Sequence, residues 1–351
     1  MNAFTVQVPG KLILCGEYAV LQGAPAVVAA VARHATCRVE PSPDGLKVSA
    51  LGQGPLAVGL HDGKVTFTPA PADEARFVLT RSVLEERAAR GLPSGVTLTL
   101  DSSALNEAAL SGGQSVKLGL GSSSAAAVAL TAALDLAGGA TLSAEQRRKW
   151  FEAAQRAHLR AQGGVGSGVD VAASVMGGVI VYTRPTANPA DAIIQPVKYE
   201  KLGVRLVVAW TGSAASTVEL VGKVDAWRQR ESAAAARRFQ EMEELAKDAA
   251  HAAETGNRRD FLYAVNGYGA QLELLGKESG ADILSAPHRR IRELAARHEC
   301  GAKPSGAGGG DVAVCFCPDG WTAEALSREL QEAGFPTVPL EFDQEGVFVR
   351  R

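Results

Sequence analysis

Residues 118–127, LGLGSSSAAA, place two glycines directly before three serines and an alanine-rich segment. Glycine lets a chain turn tightly, and the first turn of a helix has backbone N–H groups without helical partners. These amides and the helix dipole attract anions, phosphate above all. The stretch therefore predicts a phosphate-binding turn at the start of a helix that runs from about Ser123 to Leu136.

Two further glycine-rich loops accompany this one. The first loop, PGKLILCGEYAVLQG (residues 9–23), holds Lys11 between strand-forming residues. The third loop lies within AKPSGAGGGDVAVCF (residues 302–316), where four glycines separate Lys303 from Asp311 and a β-forming run. Glycine beside a strand marks a bulge or the close approach of a ligand or another backbone. Taken alone, GLGSSSA is typical of an ordinary serine-capped turn, so the order of all three loops carries the argument.

The composition bounds the class of protein. A chain of 351 residues with 46% hydrophobic and 21% charged residues can bury a sizeable core, which favours two domains. A net charge of -2 provides no basic surface for nucleic acid. The five cysteines show no C-x-x-C spacing, which argues against a zinc site and a disulfide framework. Without a signal peptide or a membrane-length apolar run, the sequence predicts a reduced, soluble, cytoplasmic protein.

Strand patterns give way to helix patterns twice along the chain, which predicts an α+β fold in both halves. A proline-containing, aperiodic segment from Thr183 to Pro196 places the domain boundary, giving an N-terminal domain of residues 1–185 and a C-terminal domain of residues 186–351. Strands are predicted at 4–8, 11–15, 26–31, 36–39, 65–67, 96–100, 116–120 and 205–210. Helices are predicted at about 123–136, 143–161, 169–176, 217–253 and 322–333, with two more before the third loop.

Three common motifs are absent or broken. G-x-x-x-x-G-K-[ST] does not occur, which excludes a Walker-type loop. GAGGGD and GVGSGV both break G-x-G-x-x-G at the last position, which disfavours a nicotinamide oxidoreductase. G-x-S-x-G, the usual hydrolase elbow, is also missing.

The three loops, in this order and at these separations, resemble the three signature motifs of the GHMP kinases, and the resemblance extends over nearly the whole chain. It implies a two-domain fold, with a ribosomal-S5-domain-2-like N-terminal domain and a ferredoxin-like α+β C-terminal domain. It also implies that ATP is a co-substrate and Mg²⁺ a cofactor. The second loop would wrap the ATP phosphates. The glycines of the third loop would let backbone amides reach the reacting phosphates.

Within the family, four segments resemble the phosphomevalonate kinases. These are GEYAVLQGAPAVVAAV with Tyr18, residues 157–178 (AHLRAQGGVGSGVDVAASVMGG), KPSGAGGGD with Asp311, and residues 209–217 (AWTGSAAST). The resemblance implies ATP-dependent phosphorylation of 5-phosphomevalonate to 5-diphosphomevalonate in the mevalonate pathway of isoprenoid biosynthesis. Mevalonate kinase, another small-molecule GHMP kinase and the related ATP-dependent decarboxylase stay open as alternatives. A non-catalytic sensor on this scaffold is disfavoured because Lys11, Ser123 and Asp170 are all present.

The resemblance assigns three catalytic residues. Lys11 would bridge donor and acceptor oxygens. Asp170 matches the aspartate that acts as a base in alcohol-phosphorylating members. An acceptor phosphate has a second pKa of about 6 and is mostly deprotonated at neutral pH, so it needs no strong base. Asp170 is therefore expected to orient Lys11 or a substrate hydroxyl instead. Ser123 would bind Mg²⁺. No second metal ligand can be assigned, because the region that holds a carboxylate in mevalonate kinases contains AHLRAQ.

The resemblance also implies two groups of binding residues. Those expected to contact ATP are Lys117, Gly119, Leu120, Gly121, Ser122, Ser123 and Ser124. Those expected to contact the small-molecule substrate are Lys11, Glu17, Tyr18, His158, Gln162, Ser167, Ser216, Gly308 and Gly309. Lys303 is a further source of positive charge. Neither nucleic acid nor a membrane is expected as a partner, and the sequence leaves monomer and homodimer open.

Overall fold

The computed structural model describes residues 2–107 and 116–351. Its first domain is built on a large sheet. The strands of this sheet are β1 (Phe4–Cys15), β2 (Ala26–Pro41), β3 (Leu46–Ala50), β4 (Gln53–His61), β5 (Lys64–Thr68), β6 (Val96–Asp101), β9 (Val179–Thr183), β10 (Ile193–Val197) and β14 (Phe348–Arg350). Their main order is β10-β9-β2-β6-β3-β4-β5, and β1 pairs with β2 and β14. A separate two-stranded ladder joins β7 (Asn106–Glu107) to β8 (Val116–Lys117).

Four helices accompany this sheet: α1 (Val78–Ala88), α2 (Ser122–Ala137), α3 (Ala144–Ala161) and α4 (Val169–Met176). The alanine-rich α2 is buried from Ser124 to Asp135 and packs on β1 and β2. Its small side chains allow this close approach. The helix α3 begins with a serine cap, because the Ser143 hydroxyl accepts a hydrogen bond from the Gln146 amide at 3.1 Å.

The two strands predicted at residues 4–8 and 11–15 form one strand, β1, with a shift of register between Pro9 and Gly10. A Cβ at Gly10 would lie 2.7 Å from the Leu120 carbonyl oxygen. Glycine at this position therefore lets the second loop lie directly against β1. This contact brings the first and second loops together.

The second domain contains five helices and a small antiparallel sheet. The helices are α5 (Thr217–Arg230), α6 (Ser232–Thr255), α7 (Arg258–Ser279), α8 (Ala286–Arg297) and α9 (Gly320–Glu332). The sheet has the order β11-β13-β12, with β11 (Arg205–Trp210), β12 (Gly301–Pro304) and β13 (Val312–Cys317). Thr337 forms a bridge with Ala209 on the free edge of β11, so the chain occupies a fourth strand position there. This order is that of a ferredoxin-like α+β sheet, and the expected fold class is confirmed.

Two expectations about organisation differ from the structure. The single helical tract predicted at residues 217–253 is two helices, because Glu231 leaves helical backbone angles between α5 and α6. The first domain's sheet also does not end at residue 185. The strand β10 pairs with β9, and its Pro196 is tolerated because β10 lies at the sheet edge. The last strand, β14, returns to pair with β1.

None of the helices described for residues 2–107 and 116–351 is long and apolar enough to cross a membrane.

Candidate active site

The first and second loops meet at Lys11. The Lys11 amide donates a hydrogen bond to the Leu120 carbonyl at 2.9 Å. Gly121 precedes α2 with φ +75°, and a Cβ there would lie 2.9 Å from Cγ of Lys11. Glycine is required for both reasons, since L-residues rarely adopt this conformation and a side chain would displace the lysine stem.

The start of α2 presents amides and hydroxyls. Gly121 caps the helix without a side-chain hydrogen bond, so the amides of the first turn have no side-chain cap. The Ser124 hydroxyl is buried and donates to the Gly121 carbonyl at 2.8 Å. Ser122 and Ser123 instead face a large cavity. Of the three serines predicted to contact ATP, Ser122 and Ser123 therefore lie on the cavity wall, while Ser124 shapes the loop.

The large cavity has a volume of about 810 Å³, which is suited to a nucleotide-sized ligand. Besides the start of α2, its walls come from the β3–β4 turn, from α1 and from the end of β6. Polar wall residues include Arg76, Thr80, Asp101, Ser102 and Asn106. None of these five was singled out by sequence reasoning, because they come from separate elements and form no motif.

A smaller cavity of about 160 Å³ is lined by the Lys11 side chain. Its walls come from both domains and include seven of the predicted or neighbouring site residues: Lys11, Glu17, Tyr18, Gln162, Ser167, Asp170 and Thr217. We call it the acceptor cavity. The stem of Lys11 thus packs against the second loop while its ammonium group borders the acceptor cavity.

Lys11 is paired with Asp170 in this cavity. The Lys11 ammonium lies 3.6 Å from a carboxylate oxygen of Asp170, which belongs to the first turn of α4. The lysine side chain is 6% exposed and the aspartate side chain 33% exposed. Because the lysine side chain is buried and paired with Asp170, its ammonium is held at a fixed position on the cavity wall.

His158 lies behind Ser123. Its Nε2 is 3.1 Å from the Ser123 hydroxyl, and it is not among the residues that line the acceptor cavity. Burial lowers the pKa of His158, against the opposing effect of the Asp170 carboxylate. His158 is therefore neutral at neutral pH. The structure supports a role beside the nucleotide turn for this residue, in place of the substrate contact expected from sequence.

Glu17 and Lys303 form a buried ion pair between the first and third loops. Their side chains are 1% and 0% exposed, and the Lys303 ammonium also donates to the Pro304 carbonyl at 3.0 Å. Lys303 therefore holds loops together and is not available to a phosphate, which corrects the expectation of a further phosphate-binding charge. Glu17 Oε2 is buried without a partner among the described residues, and Glu17 lines the acceptor cavity. A buried acceptor of this kind needs a donor, which a ligand or a water can supply.

Three of the third-loop glycines, Gly308, Gly309 and Gly310, face protein and not the cavity. A Cβ at Gly308 would lie 2.2 Å from the Ile283 carbonyl oxygen, and the Gly309 amide donates to that oxygen at 2.8 Å. A Cβ at Gly310 would lie 2.6 Å from the Ser213 carbonyl oxygen. Gly308 is thus required for packing against second-domain backbone, and the Gly309 amide is used in a hydrogen bond to that backbone, which differs from the expected delivery of amides to phosphates. In this loop, Gly306 and Ala307 line the acceptor cavity.

Other predicted residues divide between the cavity wall and its support. The Tyr18 hydroxyl donates to the Ala307 carbonyl at 2.6 Å, so Tyr18 fixes the third loop and lines the cavity. Ser216 caps α5 by accepting a hydrogen bond from the Glu219 amide at 3.4 Å. The next two residues, Thr217 and Val218, line the acceptor cavity there. The capping spacing of Ser216 and Glu219 is the sequence signal that could have assigned Ser216 to the helix terminus.

Asp311 is a residue that the predicted site omitted. Its carboxylate lies against Gly119 of the second loop, where a Cβ would be 2.6 Å from Oδ2. Asp311 has φ +57°, a value that non-glycine residues seldom adopt. A charged residue directly after a run of glycines is the sequence signal that could have identified it.

The donor set fits a metal ion that arrives with a nucleotide. Mg²⁺ is usually held by one or two protein groups together with substrate phosphates and water. Ser123 supplies a hydroxyl at the nucleotide turn, and the side chain that contacts it is His158. Within the described residues, no group of three or more His, Cys, Asp and Glu side chains is placed to hold a metal. A Mg²⁺ ion would therefore depend mainly on the nucleotide's own oxygens, with Ser123 as the protein ligand.

Comparison with known proteins agrees with the two-domain arrangement. The family model for the GHMP kinases N terminal domain matches residues 79–178, and that for the GHMP kinases C terminal domain matches residues 232–335. A phosphomevalonate kinase of Streptomyces sp. (strain CL190) is 32% identical over 380 residues, covering 97% of each chain. A mevalonate kinase of Aeropyrum pernix is 29% identical over 333 residues, covering 95% of this chain and 94% of the relative.

A solved structure has the same fold. Streptococcus pneumoniae phosphomevalonate kinase, in complex with phosphomevalonate and AMPPNP, superposes with a TM-score of 0.76 at 20% identity, covering 97% of this chain and 100% of that one. Family models that match parts of both domains, together with a relative of 32% identity over nearly the full length, show the family. The chain belongs to the GHMP kinase family and is a phosphotransferase.

Proposed function

We propose that this kinase acts in the mevalonate pathway and transfers the γ-phosphoryl group of ATP to 5-phosphomevalonate, giving 5-diphosphomevalonate and ADP. The observation that carries the proposal is the position of Lys11, whose stem contacts the nucleotide turn and whose ammonium borders the acceptor cavity. Relatives named phosphomevalonate kinase and mevalonate kinase support the pathway.

The chemistry asks chiefly for position and positive charge. An oxygen of the acceptor phosphate attacks the γ-phosphorus, and the bond to the β,γ-bridging oxygen breaks. Catalysis of such transfers comes mostly from positioning and from stabilising charge on the transferring group. Lys11 is the cation at this point, and Asp170 orients it from 3.6 Å. Because the acceptor phosphate is already largely ionised, no strong base is needed.

Recognition of the acceptor substrate would depend on the polar groups that line the cavity. Glu17 Oε2 has no partner among the described residues and would accept a hydrogen bond from an acceptor hydroxyl. Gln162, Ser167 and Thr217 line the same cavity and add neutral polar groups. An acceptor substrate that carries a hydroxyl group near Glu17 and an anionic group near Lys11 would satisfy both residues.

Mg²⁺ is proposed to enter with ATP and to be held at Ser123. The ion would neutralise phosphate charge during the transfer. Ser122, Ser123 and the amides at the start of α2 would hold the phosphates themselves, and the large cavity would hold the rest of the nucleotide.

Mevalonate kinase is the second candidate. The Asp170 carboxylate is one-third exposed in the acceptor cavity beside Lys11, a position from which it could also accept a proton from an alcohol. ADP release measured separately with 5-phosphomevalonate, mevalonate and a panel of sugars decides between the candidates. A higher kcat/KM for 5-phosphomevalonate supports the proposal, and a preference for mevalonate supports the alternative. Release of carbon dioxide would instead identify a decarboxylase.

A further inference from the structure

Asp311 is held in a fixed, unusual conformation at the end of the third loop. Its amide donates to the Ser213 carbonyl at 2.7 Å. Its own carbonyl accepts hydrogen bonds from the Thr211 amide at 3.0 Å and the Thr211 hydroxyl at 2.9 Å. Two main-chain hydrogen bonds and one from the Thr211 hydroxyl, all to one segment, maintain φ at +57°. Asp311 and residues 211–213 therefore move together if either moves.

The side chain of Asp311 reaches across to the second loop. Gly119 has φ +70°, and a Cβ built on it would lie 2.6 Å from Oδ2 of Asp311 and 2.9 Å from its Cγ. The carboxylate thus occupies the space that a side chain at position 119 would fill. A second-domain carboxylate is in contact with the backbone expected to bind phosphate.

Burial and neighbouring charges both act on the carboxylate of Asp311. Burial raises the pKa of Asp311, while the positive charges of Lys117 and Lys11 act to lower it. A triphosphate at the second loop would add negative charge beside the same carboxylate. Like charges this close repel each other, most strongly where solvent is partly excluded.

The other oxygen of the carboxylate points towards the acceptor cavity's wall. Oδ1 lies 3.5 Å from the Ala215 amide, which donates to it. Ala215 leads directly to Ser216, the cap of α5, and to Thr217 and Val218, which line the acceptor cavity. One side chain therefore contacts the nucleotide loop with one oxygen and the segment that borders the acceptor with the other.

We propose that Asp311 is a positioning residue through which a bound nucleotide acts on segment 211–218 at the wall of the acceptor cavity. The inference rests on the proposed function, because it requires a triphosphate at the second loop. Repulsion between the triphosphate and the carboxylate biases this segment, so the nucleotide alters acceptor affinity. By linkage, the acceptor alters nucleotide affinity by the same factor.

The test compares the wild-type protein with Asp311→Asn. Asparagine has the size of aspartate, tolerates the left-handed region and can still accept a hydrogen bond from Ala215. Without the charge, we expect Mg-AMPPNP to bind about fivefold more tightly or better by calorimetry. This gain should shrink as ionic strength rises, because screening weakens the repulsion. A merely structural defect would weaken binding and would not produce a salt-dependent gain.

The second measurement is the affinity for 5-phosphomevalonate with and without AMPPNP. The ratio of the two dissociation constants should lie nearer to one in Asp311→Asn than in the wild type. Asp282→Asn is the matched control, since Asp282 is an exposed carboxylate in the segment behind the same loop; it should leave both measurements unchanged.

The outcomes separate the inference from the function on which it rests. Equal or weaker AMPPNP binding in Asp311→Asn, or an unchanged ratio, overturns the inference while the kinase assignment stands. A wild-type protein that binds AMPPNP but shows a ratio of one also overturns it. A wild-type protein that does not bind AMPPNP contradicts the proposed function and the inference together.

Discussion

Lys11 and Asp170 form an ion pair of 3.6 Å at the boundary between the nucleotide turn and the acceptor cavity. Lys11 is fixed from three sides: by its backbone bond to Leu120, by Gly121 against its stem, and by Asp170 at its ammonium. Such a pair serves a phosphate acceptor by placing positive charge, and would serve an alcohol acceptor by also supplying a base. The two roles predict different effects of mutating Lys11 and Asp170.

Removing Lys11 should cost more than neutralising Asp170. Loss of one well-placed donor typically lowers kcat by roughly 10²–10³, and Lys11→Ala should lose at least that much. Asp170→Asn keeps the size and the hydrogen bonding, so it should retain most of the activity if Asp170 only orients Lys11. Single-turnover rates with ATP and 5-phosphomevalonate measure both.

The opposite pattern would identify a general base. In that case Asp170→Asn would lose about 10²–10⁴-fold in rate and the acidic limb of the pH–rate profile would disappear. That result would refute the proposed role of Asp170 and leave the family assignment intact. Near-normal kcat in Lys11→Ala would refute the placement of the reacting phosphates.

Gly121→Ala should reduce the use of ATP. The new methyl group would lie 2.9 Å from Cγ of Lys11 and 2.8 Å from the Ser124 hydroxyl oxygen, so the lysine or the turn must shift. A small misplacement of reacting groups can cost about 10²-fold, and we expect a loss of this size in kcat/KM for ATP. Gly139→Ala, beyond the other end of α2, is the control: it also has positive φ, +94°, but nothing lies within 4 Å of its Cβ position. Equal effects of the two variants would show that backbone strain alone is responsible.

Ser123→Ala and Ser124→Ala should separate metal binding from loop structure. Ser123 faces the large cavity, so its loss should raise the Mg²⁺ concentration needed for half-maximal activity, besides the small loss of stability expected from its contact with His158. Ser124 bonds to the Gly121 carbonyl, so its loss should cost about 1 kcal/mol of stability. Mg²⁺ titrations and thermal melts of both variants measure this. An unaltered Mg²⁺ requirement in Ser123→Ala would mean that the hydroxyl of Ser122 or Ser124, and not that of Ser123, binds Mg²⁺.

Lys303→Met should be strongly destabilising. It leaves the buried Glu17 carboxylate without its cation, and breaking one partner of a buried pair costs about 3–5 kcal/mol. Urea unfolding gives the change in free energy. Lys277→Met, which removes an exposed lysine paired with Glu273, should change stability by no more than about 0.5 kcal/mol. A similarly small effect at Lys303 would mean that Glu17 is neutral or hydrated in the folded protein.

Asp343 should contribute stability that depends on pH. Burial opposes its ionisation, but hydrogen bonds from His34 at 2.7 Å and from the Gly346 and Glu345 amides outweigh this and lower the pKa of Asp343. A lowered folded-state pKa gives stability above the unfolded value, about 3.9, that is lost as pH falls through the folded-state value.

Asp343→Asn should therefore cost about 1.5–3 kcal/mol at neutral pH, the range for hydrogen bonds to charged groups. Denaturant unfolding at neutral and acidic pH measures the difference between variant and wild type. The difference should shrink in acid, where the wild-type carboxylate is itself protonated. A constant difference across pH would show that the Asp343 charge contributes nothing to folding.

Sequence reasoning placed residues correctly where one local motif specifies the backbone, while their chemical roles stay predictions. Lys11, Ser123 and Asp170 each lie within or beside a glycine-rich turn, and the structure brings Lys11 and Asp170 into contact and places Ser123 at the start of α2. The fold class followed from the grouping of strands and helices. These features depend on short stretches of chain, which the sequence displays directly.

It failed where the partner of a residue lies far along the chain. The role of Gly308 depends on the Ile283 carbonyl, and that of Lys303 on Glu17, 286 residues away. The return of β14 to β1 likewise joins the two ends of the described chain. Glycine and lysine patterns alone do not reveal whether their neighbours will be ligand or protein, and both were assigned to the ligand.

The most direct test of the central claim is a competition between the two acceptors. Equal concentrations of 5-phosphomevalonate and mevalonate are incubated with limiting Mg-ATP, and the products are resolved by phosphorus NMR. The product ratio gives the ratio of the two kcat/KM values. The account predicts that 5-diphosphomevalonate forms almost alone at first. Initial formation of 5-phosphomevalonate from mevalonate as the main product would contradict it.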